Sequence, residues 1–431
     1  MKEITVAIIG SGSTYCPELI DGFIRAKDSL RLRRVAFMDI DERKRTVVGG
    51  LCVRMLQKAG IACETVLTDD LDEALQGADF VVTQIRVGKL PARHLDETIP
   101  LKYDLIGQET TGIGGFFKAL RTVPVMKHIA ERMAVICPDA WLINFANPSG
   151  IIAEYLANFT SIKSVGLCNV PINMLDNVKA AVGEGAEITY LGLNHLSWIG
   201  SVRLNGEEVL EQMFRPGFAP AVMNNIHNDG FDADFCLHAV HGFPSSYLQY
   251  FYSRDKKLAH LKAEKKSRAQ VCMEIEEELL ELYSQEELNT KPALLDRRGG
   301  HKYSLAAVSL IDSIANDKRD VHVVNIPNNG TLPFMAADDV VEIAAVVGKD
   351  GFTPVPVRPE ACSRHMQAMM QTVKAYEKLT VQAALHGDDA AALNALTLHP
   401  LVGDFHRARA CYEEMKEAHR AYLPQFYADN S

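Results

Sequence analysis

Between residues 4 and 39 the chain sets out a strand, a glycine turn, a helix and a second strand ending in an acid. Few folds accept that order. Ile4 to Ile9 is an unbroken apolar run, which reads as a strand buried on both faces. It stops at Gly10-Ser11-Gly12-Ser13-Thr14-Tyr15, and Pro17 then opens a helix of roughly ten residues. Arg34 to Met38 is the next strand, and Asp39 closes it. This pattern is the first βαβ unit of a doubly wound, dinucleotide-binding sheet. Gly10 permits the tight turn, and Gly12 lets the backbone approach a pyrophosphate at a helix N-terminus. Ser13 and Thr14 belong to the same turn and join them as candidate cofactor contacts. Asp39 stands where a carboxylate accepts hydrogen bonds from adenosine ribose hydroxyls and repels a 2′-phosphate, which favours NAD⁺ over NADP⁺. One departure is the missing third glycine, replaced by Tyr15, so helix and strand are expected to sit further apart than usual.

The alternation continues. Asp41 to Ala59 reads as an amphipathic helix, Cys63 to Leu67 as a strand, Asp70 to Gln76 as a short helix and Phe80 to Ile85 as a buried strand. Arg86 to Gly115 is polar and far longer than an ordinary strand-to-helix loop, and it carries Arg93, His94, Asp96, Glu97, Gln108 and Glu109. Helix Phe116 to Met133 and strand Trp141 to Phe145 follow, then Asn147-Pro148-Ser149-Gly150. Ser164 to Leu167 and Tyr190 to Leu193 read as strand ends, each followed by a chemically interesting residue, Cys168 and His195. In open α/β sheets that rim is where ligands bind. A thiol and an imidazole brought together there can anchor a divalent metal. Taken singly, the thiol is more often a small buried hydrophobe and the histidine structural. Asn147 taken singly is as readily a cap or turn residue.

After His195 the texture changes. Trp198 to Val209 reads as a hairpin around Asn205-Gly206. A break at Gly242 to Ser246 precedes the cluster Tyr247-Leu248-Gln249-Tyr250-Phe251-Tyr252, a pattern more often core than chemistry. Leu261 to Leu282 reads as a charged helix with Arg268 near its start, and Arg297-Arg298-Gly299-Gly300 as a basic turn. The expected fold class is therefore α/β. A Rossmann-type dinucleotide domain over residues 1–194 is joined to an α+β substrate domain over 195–431, as in lactate and malate dehydrogenases, with one site shared between them.

Composition narrows the function classes. A net charge of −10 argues against nucleic-acid partners and against docking on anionic membranes. The nine cysteines are odd in number and scattered, as expected of a reducing cytoplasm rather than a disulfide framework. No apolar run approaches the roughly 18 residues a membrane span needs, and the N-terminus reads as a strand, not a signal peptide.

The motifs IIGSGSTYCPEL, IRVGKLPARHLDETIPLKYDLIGQETTG, NPSG, VGLCNVP, GLNH, SSYLQYFY, SRAQV, RRGG and NNG occur in this order over essentially the whole chain. In them the chain resembles the NAD- and metal-dependent family four of the glycoside hydrolases, and most of all its 6-phospho-β-glucosidases. The resemblance implies that Cys168 and His195 hold Mn²⁺ or another divalent metal. It implies that Tyr247 removes a proton from C2 of the sugar, and that Arg93, Asn147 and Arg268 contact the phosphorylated sugar. It further implies NAD⁺-assisted oxidation at C3, elimination of the aglycone, addition of water and re-reduction, with NAD⁺ regenerated. Relatives acting on 6-phospho-α-glucosides carry an Asp general acid after the metal-binding Cys; Asn169 stands there in this chain, leaving Glu109 or a metal-linked water as candidates. The implied substrate is a phosphorylated disaccharide such as cellobiose-6-phosphate, or an aryl glucoside, and the implied assembly a homodimer or homotetramer. The alternatives are a 6-phospho-glycosidase of other anomeric or sugar specificity, an NAD-dependent 2-hydroxy-acid dehydrogenase, and a catalytically dead NAD-binding regulator.

Overall fold

The computed structural model describes residues 2–215, 226, 229–298 and 303–428. Gly299 and Gly300 of the expected basic turn lie outside these residues. The N-terminal part alternates strands and helices: β1 (Lys2–Ile9), α1 (Cys16–Arg25), β2 (Leu30–Met38), α2 (Glu42–Lys58), β3 (Glu64–Thr68), α3 (Leu71–Leu75) and β4 (Phe80–Thr83). It continues with α4 (Lys89–Thr98), α5 (Gly112–Ile136), β5 (Trp141–Asn144), α6 (Ser149–Phe159), β6 (Lys163–Gly166) and α7 (Val170–Val182). The six strands pair in parallel in the order β3-β2-β1-β4-β5-β6, the doubly wound arrangement with its crevice beside the central β1. From Ile4 onward every residue of β1 is buried, as its unbroken apolar run requires.

The sheet does not end at β6. The antiparallel strands β7 (Glu187–Leu193), β8 (Leu196–Leu204), β9 (Glu207–Glu208), β10 (Phe243–Pro244), β11 (Asp320–Pro327), β12 (Val340–Gly348) and β13 (Gly351–Pro354) extend it to thirteen strands among the described residues. β7 lies between β8 and β12 rather than beside β6. A single row of pairings crosses the junction: Gly166 with Asn325, Asn325 with Glu342, and Glu342 with Gly192. That row brings the carboxyl ends of β6 and β7 together, although they are not sheet neighbours.

Two expectations of the sequence give way. The segment from Arg86 to Gly115 is not a long loop, because α4 and a 3₁₀ turn, Pro100–Tyr103, fill it. The buried side of α4 includes Arg93, Asp96 and Glu97, so charge hides its helical periodicity. Each of these charges is paired, Arg93 with Glu97 one turn on and Asp96 bidentately with Arg121 of α5. Leu261 to Leu282 is likewise two helices, Arg254–Ala263 and Arg268–Tyr283. The second starts at a capping box, in which Ser267 Oγ accepts from Gln270 N and the Gln270 side chain accepts from Ser267 N.

Candidate active site

A cavity of about 1240 Å³ opens along the carboxyl rim of the parallel strands. Gly10, Gly12, Ser13 and Asp39 line one end. Gly10 has φ +88°, and a Cβ there would lie 2.9 Å from the backbone of Gln84. A Cβ on Gly12 would lie 2.7 Å from Lys44 Cβ and 2.8 Å from Asp39 Oδ2, so the turn admits no side chain. Asp39 is fixed by two donors, Gly12 N at 2.8 Å and Asp41 N at 2.9 Å. A turn with bare amides facing a cavity, closed by an immobilised carboxylate, fits the pyrophosphate and ribose of a dinucleotide. Thr14 does not line this cavity; its side chain is buried, and its carbonyl accepts from the Tyr283 hydroxyl at 2.9 Å. Tyr15, in place of the third glycine, does line the cavity, with the Arg298 guanidinium 5.6 Å from its ring centre.

Cys168 and His195 meet further along. Cys168 follows β6, and His195 occupies the two-residue turn between β7 and β8 with φ +65°. The sulfur lies 3.6 Å from His195 Nε2 and also receives Val170 N. Tyr247 comes from a third direction. β10 pairs with β8 through Phe243–Ile199 and Pro244–Trp198, Ser245 N donates to Ser197 O, and the next turn stacks Tyr247 on His195. The ring centres are 3.8 Å apart and 7° from parallel. Burial pushes the Cys168 thiol and the Tyr247 hydroxyl up, and it pushes His195 down to about 3. A neutral imidazole suits a divalent cation, and such a cation offsets the burial that holds the thiol and the phenol protonated. Among the described residues no third His, Cys, Asp or Glu joins the pair. The donor set therefore fits a metal that keeps open positions for oxygens of the substrate.

Below the pair sits Glu342, buried in β12. It accepts from the Tyr190 hydroxyl at 2.7 Å, Asn194 Nδ2 at 3.0 Å and Asn325 Nδ2 at 3.2 Å. Burial pushes its carboxyl up, and it contributes to the rise at Cys168. Glu342 was not singled out from the sequence; a lone acid within the apolar run VVEIAAVV was the available signal.

The opposite wall is charged. Glu109 is gripped by Arg86, by Arg93 Nη1 at 2.9 Å and by Lys118 Nζ at 2.7 Å. These three cations hold its carboxyl well below the usual range despite full burial. These cations favour the ionised form of Glu109 in the protein alone, which speaks against it as the general acid. Lys118 belongs to the first turns of α5, where Gly112 to Val123 are all buried, and a lysine in such a stretch was the available signal. The loop before α5 packs so closely that a Cβ on Gly114 would lie 2.3 Å from Gln108 O. That contact places Glu109 and Thr110 in the cavity wall.

One carboxylate ties Arg93 to the start of the helix that carries Arg268. Glu97 accepts from Arg93 Nε at 2.6 Å through one oxygen and from Ala269 N at 2.7 Å through the other. Arg268 lies at the first position of its helix, and its guanidinium donates to Arg298 O at 2.9 Å. Asn147, preceding a cis proline, also lines the cavity, as does Asn169, whose side chain makes no capping bond to α7. The cavity thus brings together every candidate residue of the sequence except Thr14.

This arrangement has close counterparts. The N-terminal model of the family 4 glycosyl hydrolases matches residues 5–184, and the C-terminal model of the same family matches residues 190–402. A protein of Bacillus subtilis described as a probable 6-phospho-β-glucosidase is 43% identical, covering 99% of this chain and 98% of its own length. The 6-phospho-β-glucosidase of Thermotoga maritima, solved with manganese, NAD⁺ and glucose-6-phosphate, superposes with a TM-score of 0.86. It is 34% identical, with 97% of this chain and 99% of that one covered. Malate dehydrogenase of Plasmodium falciparum, 12% identical with a TM-score of 0.50 over 89% of this chain and 98% of its own, shares the fold alone. Matches to both family models, at residues 5–184 and 190–402, together with this identity, place the chain in a known family: it belongs to the family 4 glycosyl hydrolases.

Proposed function

We propose that this glycosyl hydrolase is a 6-phospho-β-glucosidase that uses NAD⁺ and Mn²⁺ to hydrolyse 6-phospho-β-glucosides, such as cellobiose-6-phosphate, to glucose-6-phosphate. The observation that carries the reading is the stack of Tyr247 on His195, with the Cys168 sulfur 3.6 Å from the same imidazole. A hydrolase working with two carboxylates needs one protonated and one ionised acid flanking a bond. Here the wall offers Glu109, whose cationic neighbours favour its ionised form, and Asn169, which has no acidic proton.

Gly10, Gly12, Ser13 and Asp39 would hold the dinucleotide, and Cys168 and His195 the metal. When bound, the pair supplies reversible oxidation at C3 of the sugar and Lewis acidity, which make the C2 proton acidic. Tyr247 then takes that proton. Its hydroxyl is pushed up by burial in the protein alone, so proton removal depends on a cation beside it. Thr110, in the same cavity wall, acts against that rise. The aglycone leaves as the C1–O bond breaks, water adds at C1, and Tyr247 returns a proton to C2. Arg93, Arg268 and Asn147 would hold the phosphorylated sugar. Arg93 comes pre-oriented by Glu97 and Glu109, and Arg268 by Arg298 O. Division into a cofactor unit over 1–194 and a substrate unit over 195–431 that share this site belongs to the same reading, as do a homodimeric or homotetrameric assembly and a cytoplasmic location. The last is supported by a substrate phosphorylated before cleavage and by the absence, among the described residues, of a helix long and apolar enough to cross a membrane.

The test is a panel of chromogenic 6-phospho-glycosides, α and β, gluco and galacto, with NAD⁺ and Mn²⁺. The expected result is turnover of the 6-phospho-β-glucoside without accumulation of NADH. Formation of NADH in step with product would instead identify a dehydrogenase.

A further inference from the structure

A second, small cavity of about 20 Å³ lies beside His195, with Asn194, Tyr376, Glu377 and His399 in its wall. A single water needs roughly 10–15 Å³ of such space and two to four polar partners. His195 supplies one partner. Its Nε2 faces the Cys168 sulfur, while its Nδ1 is buried and has no hydrogen-bond partner among the described residues. An imidazole that offers the Nε2 lone pair to a metal carries its proton on Nδ1, and metal-binding histidines nearly always donate that proton to a carboxylate, a carbonyl or a water. His399 supplies a second partner. It accepts Leu401 N on Nδ1 at 3.1 Å, so its own proton sits on Nε2.

The acceptor in the wall is Glu377, buried on the helix Arg364–His386. A Cβ placed on Gly150 would lie 2.7 Å from Glu377 Oε1 and 3.1 Å from Asn194 Cβ, so this carboxylate comes up to the residue that precedes His195. Lys374 Nζ holds Glu377 Oε2 at 2.5 Å and Glu154 at 2.7 Å, which leaves Oε1 as the oxygen beside Gly150 in the cavity wall.

We propose that one water in this cavity accepts from His195 Nδ1 and donates to Glu377, which makes Glu377 the positioning residue that fixes the tautomer and orientation of the metal-binding imidazole. The inference rests on the reading of Cys168 and His195 as the metal pair. It adds a residue about 180 positions away in sequence that touches neither metal nor substrate.

The test measures Mn²⁺ affinity directly, from the electron paramagnetic resonance signal of free Mn²⁺, on the reduced, NAD⁺-loaded protein. Glu377→Met removes the acceptor at similar volume, and Val373→Ile adds a methyl group to the apolar part of the cavity wall and leaves no room for water. Both variants should raise the Mn²⁺ Kd by roughly tenfold or more with unchanged NAD⁺ affinity, as removal of groups behind metal ligands does. A purely structural role for Glu377 would lower the thermal midpoint and leave the Mn²⁺ Kd in place. An unchanged Kd in either folded variant overturns the proposal, and Val373→Ile alone decides if Glu377→Met does not fold. Cys168→Ser, run alongside, separates the two failures. If the parent protein binds Mn²⁺ and Cys168→Ser abolishes binding, the metal reading stands whatever the Glu377 result; if no Cys168-dependent site exists, both readings fall.

Discussion

Arg93 and Arg268 are both assigned to the sugar phosphate, yet their alanine variants should behave differently. Among the described residues, the Arg268 guanidinium donates to the carbonyls of Arg297 and Arg298 and to no side chain. Arg268→Ala should therefore fold normally and lose one charge-assisted contact to phosphate, worth about 1.5–3 kcal/mol or roughly ten- to a hundred-fold. Arg93 is engaged inside the protein as well, with Nε on Glu97, Nη1 on Glu109 and Cys272 Sγ 3.8 Å away. Removing it strips a partner from two buried carboxylates, a change that typically costs about 3–5 kcal/mol. Glu97 keeps Ala269 N, and Glu109 keeps Arg86 and Lys118, so the lower end of that range is expected. The assay compares kcat/KM for a 6-phospho-β-glucoside with that for its unphosphorylated counterpart, alongside thermal unfolding. Arg268→Ala should lower the ratio at an unchanged Tm, whereas Arg93→Ala should lower both the ratio and the Tm. If Arg268→Ala keeps the ratio, it does not touch the phosphate. If Arg93→Ala keeps the parent Tm, the carboxylate clamp is not the structural element described above.

Three other outcomes follow from the geometry. Cys168→Ser should abolish Mn²⁺-dependent turnover and leave the NAD⁺ Kd within about twofold, because the thiol and the Gly10–Ser13 turn are separate parts of the cavity; full turnover without added metal would refute the ligand assignment. NADP⁺ should activate at least roughly tenfold less well than NAD⁺, since its 2′-phosphate would meet the immobilised Asp39 carboxylate and such like-charge contacts cost several kcal/mol; equal activation at matched concentration would remove Asp39 from that position. Glu109 titrates below its ordinary value of 4.5, so its stabilising contribution is complete above that value and is lost as pH falls through the folded-state value. Glu109→Gln should accordingly lose less stability between neutral and acid pH than the parent, as measured by urea unfolding across that range, and an identical pH dependence would contradict the three-cation grip.

The parts of this fold that could be read in the sequence are those with local signals. The turn at Gly10 and Gly12 announces itself because only glycine tolerates φ +88° at the first and the approach of Lys44 and Asp39 at the second. Cys168 and His195 stood out because each follows an apolar strand. What stayed hidden depends on pairings between distant residues. α4 was invisible because its buried side is charged, and the partners that let it be buried include residues far from it in sequence, such as Arg121 for Asp96 and Ala269 N for Glu97. The meeting of β6 and β7 hangs on one row through Asn325 and Glu342, more than a hundred residues downstream, and no periodicity encodes such a register. Glu109 looked like a candidate acid for the same reason. Its protonation state is decided by Arg86, Arg93 and Lys118, which come from the β4–α4 connection, α4 and α5.

The central claim is that the glycosidic bond breaks by elimination after Tyr247 removes the C2 proton, rather than by direct displacement between two acids. Turnover of a 6-phospho-β-glucoside in D₂O, followed by NMR of the glucose-6-phosphate formed, tests it most directly. A proton held by Tyr247 exchanges with solvent before it returns, so the product should carry deuterium at C2 and none at C3. Tyr247→Phe should slow turnover greatly and suppress that incorporation. Product with hydrogen alone at C2, formed at the full rate, would contradict the account.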